Sequence, residues 1–281
     1  MHPFWPDVIE PLLDSAEATA IAEVGVEQGR TTGLLLERAA RRGGTIHAID
    51  PAPRFDTART EVEHGARFQM HRARSHEVLG RIAGLDAVLL DGDHNWFTVH
   101  RELELIAGRA DADGAPLPLV IAHDVGWPYG RRDMYYDPES IPLEHRHDCA
   151  RAAVLPGRSA LGEPGINGGL WNATAEGGAR NGVLTAVEDF LATRSGCEFA
   201  FVPGWHGLGV LADPARLRLA PRLGDGIERL RSPEFLREQI ERIERSRIVT
   251  GMRAQAAERR MQDAESALSR RDYGLLADPA D

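Results

Sequence analysis

Two stretches of the chain set aspartate and histidine together at the ends of apolar runs. In the first, Ala87-Val88-Leu89-Leu90 leads into Asp91-Gly92-Asp93-His94. In the second, Leu119-Val120-Ile121-Ala122 leads into His123-Asp124. Carboxylates are the ligand type for Mg²⁺ or Mn²⁺, and imidazole leans toward a transition metal. An imidazole is also suited to take a proton near neutral pH. Turn chemistry accounts for Asp91-Gly92, since Asp-Gly is an ordinary turn pair, but it leaves Asp93-His94 unexplained. The residues leave two readings open, a divalent cation among the acids and a metal-free histidine base.

A third stretch, residues 20–44, reads as a buried strand, a glycine turn and a helix. Such a turn leaves unpaired backbone N–H groups aimed at one spot, which makes a ligand cradle. A dinucleotide cradle needs G-x-G-x-x-G so that backbone can touch a pyrophosphate. Here Gly25 and Gly29 are separated by three residues, and Glu27 stands where the second glycine belongs. A carboxylate there repels a pyrophosphate. Together with Glu23 at the strand's end, it suits a cationic ligand. Asp50 closes the next apolar run, about 20 positions on, where an acid can accept hydrogen bonds from a ribose diol. The competing reading is a turn aspartate, because Pro51 and Pro53 follow at once.

These residues need strands to carry them. Short apolar runs at 20–24, 45–50, 87–90 and 119–122, and a strand of alternating character over 66–73, are interleaved with helices, among them 7–18, 57–64 and one from 74 through 83. That alternation predicts a doubly wound α/β sheet, mostly parallel, whose ligands sit at the carboxyl ends of the strands. Parallel neighbours bring His94, Asp91, Asp93, His123 and Asp124 to one crevice. Ser75 opens the helix after the third strand, and helix capping explains it equally well. A helix over 182–194 and two strands over 197–213 complete the body. His206 lies at the tip between those two strands, as a second candidate for the site.

The combination of E-x-G-x-x-x-G, an acidic second-strand end, L-D-G-D-H and I-A-H-D resembles the class I S-adenosylmethionine-dependent methyltransferases. Within them it is similar to the branch of macrolide-sugar O-methyltransferases and cephalosporin-hydroxylase-like proteins. The resemblance covers residues 20–125 well and 183–212 loosely. It implies a Rossmann-like, mostly parallel seven-stranded sheet with an antiparallel last strand. It implies S-adenosylmethionine held by Glu23, Gly25, Glu27, Gly29, Asp50, Ser75 and Asp91, with Ser75 near the adenine. It implies Mg²⁺ or another divalent cation at Asp91, Asp93 and Asp124, with His123 standing where relatives often have an acid. His94, His123 or His206 is then the base for O-methylation of a small polar natural product or saccharide, as in natural-product biosynthesis. An NAD- or nucleotide-sugar-dependent enzyme on a similar sheet is the alternative, and Glu27 argues against it. A non-catalytic interaction module is the other.

The rest of the chain bounds these readings. It has 281 residues, 42% hydrophobic and 27% charged, with a formal net charge of −10. That balance argues against a general nucleic-acid surface. Two isolated cysteines, Cys149 and Cys197, make neither a disulfide framework nor a zinc set and fit a reducing cytoplasm. No apolar run approaches the roughly 20 residues of a membrane span, and the acidic, proline-broken start is unlike a signal peptide. The methyltransferase body is expected over 1–213, with an insertion at 125–182. That insertion reads either as a substrate lid or as a loose surface loop, and Arg131 and Arg132 could clamp an anion there. From 214 a linker is expected, then a helix begun by Ser232-Pro233. Its stripe of Leu236, Ile240 and Ile243 suits packing on the body or a homo-oligomer. Strong heptads are not sustained beyond it, and 272–281 reads as a frayed tail.

Overall fold

The computed structural model describes residues 1–275. Short helical turns over His2–Phe4 and Trp5–Ile9 lead into α1 (Glu10–Ser15), so the lead-in helix begins before the expected residue 7 and ends before 18. The body then alternates β1 (Ala20–Val24), α2 (Arg30–Arg42), β2 (Thr45–Ile49), α3 (Thr57–His64), β3 (Phe68–His71), α4 (Ser75–Val78), β4 (Ala87–Leu90), α5 (Trp96–Asp113) and β5 (Leu119–His123). Within the insertion lie β6 (Met134–Tyr135), β7 (Cys149–Arg151) and β8 (Trp171–Ala173). The body closes with α6 (Val183–Ala192), β9 (Glu198–Val202), β10 (Leu208–Ala212), α7 (Pro214–Leu219) and α8 (Pro221–Arg229).

The main sheet has seven strands in the order β3-β2-β1-β4-β5-β10-β9. Its pairs are parallel from β3 to β5, and β10 runs antiparallel between β5 and β9. Buried strands read as continuous apolar runs because helices cover both faces. On one face Ala22, Val24, Val88, Leu90, Val120 and Ala122 pack with Val99, Leu103 and Ile106 of α5 and Phe190 of α6. The register sets Leu90 beside Ala122. Asp91 therefore leaves the sheet level with His123, and both side chains reach the same edge.

The insertion is ordered, not a loose loop. Its three strands form a small antiparallel sheet, β6-β8-β7. Strands of two or three residues leave no period for sequence reading to find. Buried Asp133 ties this sheet to the body. Its Oδ1 accepts from the backbone N–H of Trp96 and of Gly182, each at 2.7 Å, and its Oδ2 from the Tyr135 hydroxyl at 2.8 Å. Arg131 and Arg132 are not free to clamp an anion. The Arg131 guanidinium meets both Glu188 oxygens on α6, and Arg132 is fully buried, donating to the carbonyls of Ala173 and Ser159.

The expected linker at 214–232 is instead the helices α7 and α8, and α8 packs on α1. The compact body therefore runs from Met1 to Ser232, and the second unit begins at Pro233. That unit carries one helix, α9 (Pro233–Leu275), starting at the proline that sequence reading marks. Of the expected tail, 272–275 belong to α9 and 276–281 lie outside the described residues. No helix among the described residues is long and apolar enough to cross a membrane.

Replacing Asp133 removes three hydrogen bonds to one buried carboxylate. Asp133→Ala is expected to cost roughly 3 kcal/mol in urea unfolding, because each of the three bonds contributes about 1 kcal/mol. An unchanged urea midpoint would contradict the hub.

Candidate active site

The glycine turn sits against the end of β4. Gly25 has φ +81°, and a Cβ there would overlap the carbonyl of Asp91. Only glycine therefore allows the turn to back onto the Asp91-Gly92 backbone. Gly29, with φ +73°, caps α2 and faces the ring of Phe55. Asp50 holds the turn from the other side. Its Oδ2 accepts from the N–H groups of Val26 and Glu27, both at 3.0 Å, and its Oδ1 from Ala52 at 2.7 Å.

The acids of the turn are placed differently from the sequence expectation. Glu23 is buried and accepts a 2.6 Å hydrogen bond from the Thr32 hydroxyl of α2. Burial pushes its pKa up to about 8, which keeps it protonated at neutral pH and removes its anionic role. Glu27 is 64% exposed and lies 3.5 Å from Arg54, a surface pair that contributes little. Ser75 is buried at the start of α4, and its hydroxyl donates to Glu102, whose pKa burial likewise raises to about 8.

The carboxyl ends of β4 and β5 bring four groups together. Nδ1 of His123 lies 2.9 Å from Asp91 Oδ1 and 2.8 Å from Asp124 Oδ2, and its Nε2 lies 2.9 Å from the Trp205 carbonyl. Acceptors around both ring nitrogens select the imidazolium. Burial opposes that charge, but Asp91 and Asp124 outweigh it and push the pKa up to about 9. For Asp91 and Asp124 burial works upward, and the facing histidines hold both carboxyls below their usual range. The Met1 amino group lies 3.0 Å from Asp91 Oδ2, adding positive charge on that side. Phe4 packs edge-on against both His123 and Trp205.

His94 completes the group. Its Nδ1 lies 3.2 Å from Asp124 Oδ2, while Nε2 faces the Tyr136 hydroxyl at 3.5 Å. Its ring stacks on Tyr129, with centroids 5.7 Å apart. Asp124 thus fixes the tautomer with the proton on Nδ1, which leaves the Nε2 lone pair for another proton. Of the expected bases, His94 turns Nε2 toward the Tyr136 hydroxyl, while the two acids beside His123 favour its cationic form. His206 is exposed, 6.3 Å from His123 between ring centroids, with its Nδ1 near the Trp127 carbonyl. It stands outside the cluster. Asp124, Trp205 and His206 all have positive φ, at 60°, 41° and 73°. Such backbone costs on the order of 1–3 kcal/mol per residue and concentrates at working sites.

Three of these groups could hold a divalent cation. Ligand atoms of Asp91, His123 and Asp124 all lie within 4.8 Å of one another. Two carboxylates and one imidazole suit Mn²⁺ or another transition ion better than Mg²⁺. Asp93, expected as a ligand, is directed elsewhere. It accepts from His94 N–H, the Asn95 amide and the Thr98 hydroxyl, and so fastens the start of α5. Tyr129, Tyr136 and the Trp205 carbonyl also line this group. Their only signal is aromatic density beside glycine and proline in the insertion and hairpin.

The sheet order and its antiparallel β10 match the Rossmann-like methyltransferase fold. Residues 22–125 match a protein family described as a methyltransferase domain. Over those residues the chain is similar to that family. A comparison with curated proteins gives no match. Among solved structures, the chain is similar to an S-adenosylhomocysteine-bound methyltransferase of Podospora anserina, at 15% identity over 72% of this chain and 76% of that one, with a TM-score of 0.44. It is also similar to the 1,6-didemethyltoxoflavin N1-methyltransferase of Burkholderia thailandensis, at 15% identity over 75% and 80%, with a TM-score of 0.38.

Glu23 and Glu102 carry folded-state pKa values near 8, above the roughly 4.3 of an unfolded chain. The folded protein then keeps protons that the unfolded chain releases. Their contribution to stability is full below about pH 4 and is lost as pH rises to about 8. Glu23→Gln is expected to flatten the fall of the thermal midpoint across that window. An unaltered slope would show that Glu23 ionises within the fold.

Proposed function

We propose that the chain is an S-adenosylmethionine-dependent O-methyltransferase for a small, polar, hydroxyl-bearing acceptor such as a saccharide or hydroxylated natural product. The observation that carries this reading is His94. Asp124 fixes its tautomer, Nε2 is left to accept a proton, and the Gly25 turn backs onto the same strand end. A hydroxyl must lose its proton as it is methylated, so an aimed base favours oxygen over an amine, whose lone pair is already free.

In this reading the turn from Gly25 to Gly29 and the end of β2 hold the methyl donor. Asp50 keeps the turn in place and has lone-pair capacity left for a ribose hydroxyl. Ser75, steadied by Glu102, lies beyond β3 on the adenine side. His94 Nε2 takes the acceptor proton, while Tyr129 and Tyr136 keep its ring in position. Alignment of methyl and oxygen supplies much of the acceleration. Asp91, His123 and Asp124 would hold a divalent cation, which lowers the pKa of a coordinated hydroxyl. For that, His123 gives up its Nδ1 proton and the Met1 amino group moves off Asp91.

Titration calorimetry with S-adenosylmethionine tests the donor site, and label transfer from methyl-tritiated donor to a panel of hydroxylated sugars and phenols tests the chemistry. Asp50→Ala is expected to weaken donor binding about tenfold or more, through loss of the turn. His94→Ala is expected to leave donor binding within about twofold and to lower transfer on any accepted substrate by about 100-fold or more. Undiminished transfer by His94→Ala would remove the base from the mechanism. Absence of donor binding by the unaltered protein would remove the proposal itself.

A further inference from the structure

We propose that α9 pairs with α9 of a second copy of this chain as a parallel, in-register coiled coil. Sequence reading ends the regular stripe near Ile243, but the helix continues unbroken to Leu275. Over that length a seven-residue repeat runs on through smaller side chains. Ala254, Ala257, Met261, Ala264 and Leu268 fall on one seam with alternating steps of three and four, and Ile240 stands two repeats earlier on the same seam, with Ile243, Arg247 and Thr250 between. Met261 and Leu268 are 64% and 62% exposed, and Ile240 is 64% exposed. From Ala254 to Leu268 every seam residue is open to solvent.

Such a helix needs a reason to persist in water. Between residues 247 and 268 no glutamate stands four positions before an arginine, so the best intrahelical pairing is missing. In proteins most helical stability comes from packing of one face rather than from propensity. The seam supplies that face, and its alanines let two backbones approach closely.

The flanking charges choose the partner and its direction. Arg253 and Arg260 lie just before the seam on one side, and Glu258 and Glu265 just after it on the other. Each arginine is five residues ahead of a glutamate. That is the spacing at which flanking positions meet across a parallel two-stranded coil. Pairing with an identical helix sets Arg253 against the second copy's Glu258 and Arg260 against its Glu265, twice over by symmetry. An antiparallel overlap of the same stretch sets arginine against arginine. Among the described residues none of these four charges makes an ion pair within its own chain. Arg247 is the one charge on the seam, and Glu244 of the same helix already holds it through two 2.7 Å bonds. A polar residue at a seam position favours one register over others.

Sedimentation equilibrium of the full chain tests this. At about 50 µM the mass is expected near twice 30.8 kDa and is expected to fall toward one chain on dilution. Charge reversal of both arginines, R253E with R260E, sets like charges against each other and is expected to yield monomer at the same concentration. Adding E258R and E265R to that variant restores opposite charges and is expected to restore the dimer. Near-ultraviolet circular dichroism, equal across the three proteins, shows that the body is unaffected, while helical circular dichroism is expected to fall with the monomer and to return with the dimer. Ala264→Cys is expected to cross-link to itself on oxidation, beyond the unaltered chain, because the parallel register sets each residue opposite its copy. A monomeric unaltered protein, a dimer indifferent to the arginine reversal, or failure of Ala264→Cys to cross-link would overturn the proposal. None of these outcomes depends on methyl transfer.

Discussion

Two carboxylates and two imidazoles, gathered where neighbouring parallel strands end, set the terms for the rest of the body. The pairing of Leu90 with Ala122 fixes Asp91 opposite His123. A slip of one residue would turn each of these side chains to the other face of the sheet. Asp124 joins the two histidines, since one of its oxygens lies within 3.2 Å of both. Burial makes these charges costly alone and strongly coupled together. His123 carries the compensating charge, and His94 turns its other nitrogen to the Tyr136 hydroxyl. One acid thus gives two chemically identical side chains two different tasks.

The surroundings are built to keep that arrangement. The left-handed backbone of Asp124, Trp205 and His206 is strained, and the sheet and hairpin around it hold it there. Trp205 contributes through its carbonyl rather than its indole, bonding the far side of the His123 ring. The insertion reaches the same point from outside. The N–H of Met134 bonds the carbonyl of His94, at 3.0 Å, and this contact brings Tyr136 over the imidazole. Asp133, next in chain, fastens that segment to both α5 and α6. The long segment between β5 and α6 is therefore a fixed wall of the site, with its own small sheet.

Much of this is legible from residue types alone. Continuous apolar runs give the buried strands, and Gly25 and Gly29 mark the turn after β1. The D-G-D-H and H-D pairs mark the crevice. What sequence does not carry is the direction of each side chain. Glu23 and Glu27 look alike as anions beside a turn. One is buried, protonated and bonded to Thr32, and the other is 64% exposed beside Arg54. The negative charge of the crevice therefore sits on Asp91, Asp124 and Asp50, not on the turn. Asp93 is two residues from Asp91, yet the chain bends between them and gives it to the start of α5. The three short strands of the insertion, and the two helices at 214–229, fall below the length at which periodicity speaks. The C-terminal helix is the reverse case. Its seam is present in the sequence but built of alanines, which a search for strong apolar residues passes over.

The most direct test is a crystal structure with S-adenosylhomocysteine and Mn²⁺, read by anomalous scattering. The account predicts the cofactor along the Gly25–Gly29 turn. It predicts a manganese peak about 2.1–2.3 Å from oxygens of Asp91 and Asp124 and from Nδ1 of His123, with His94 Nε2 left open toward the acceptor side. A cofactor bound away from that turn, or manganese ligated elsewhere with the His123 ring still bridging the two aspartates, would contradict it.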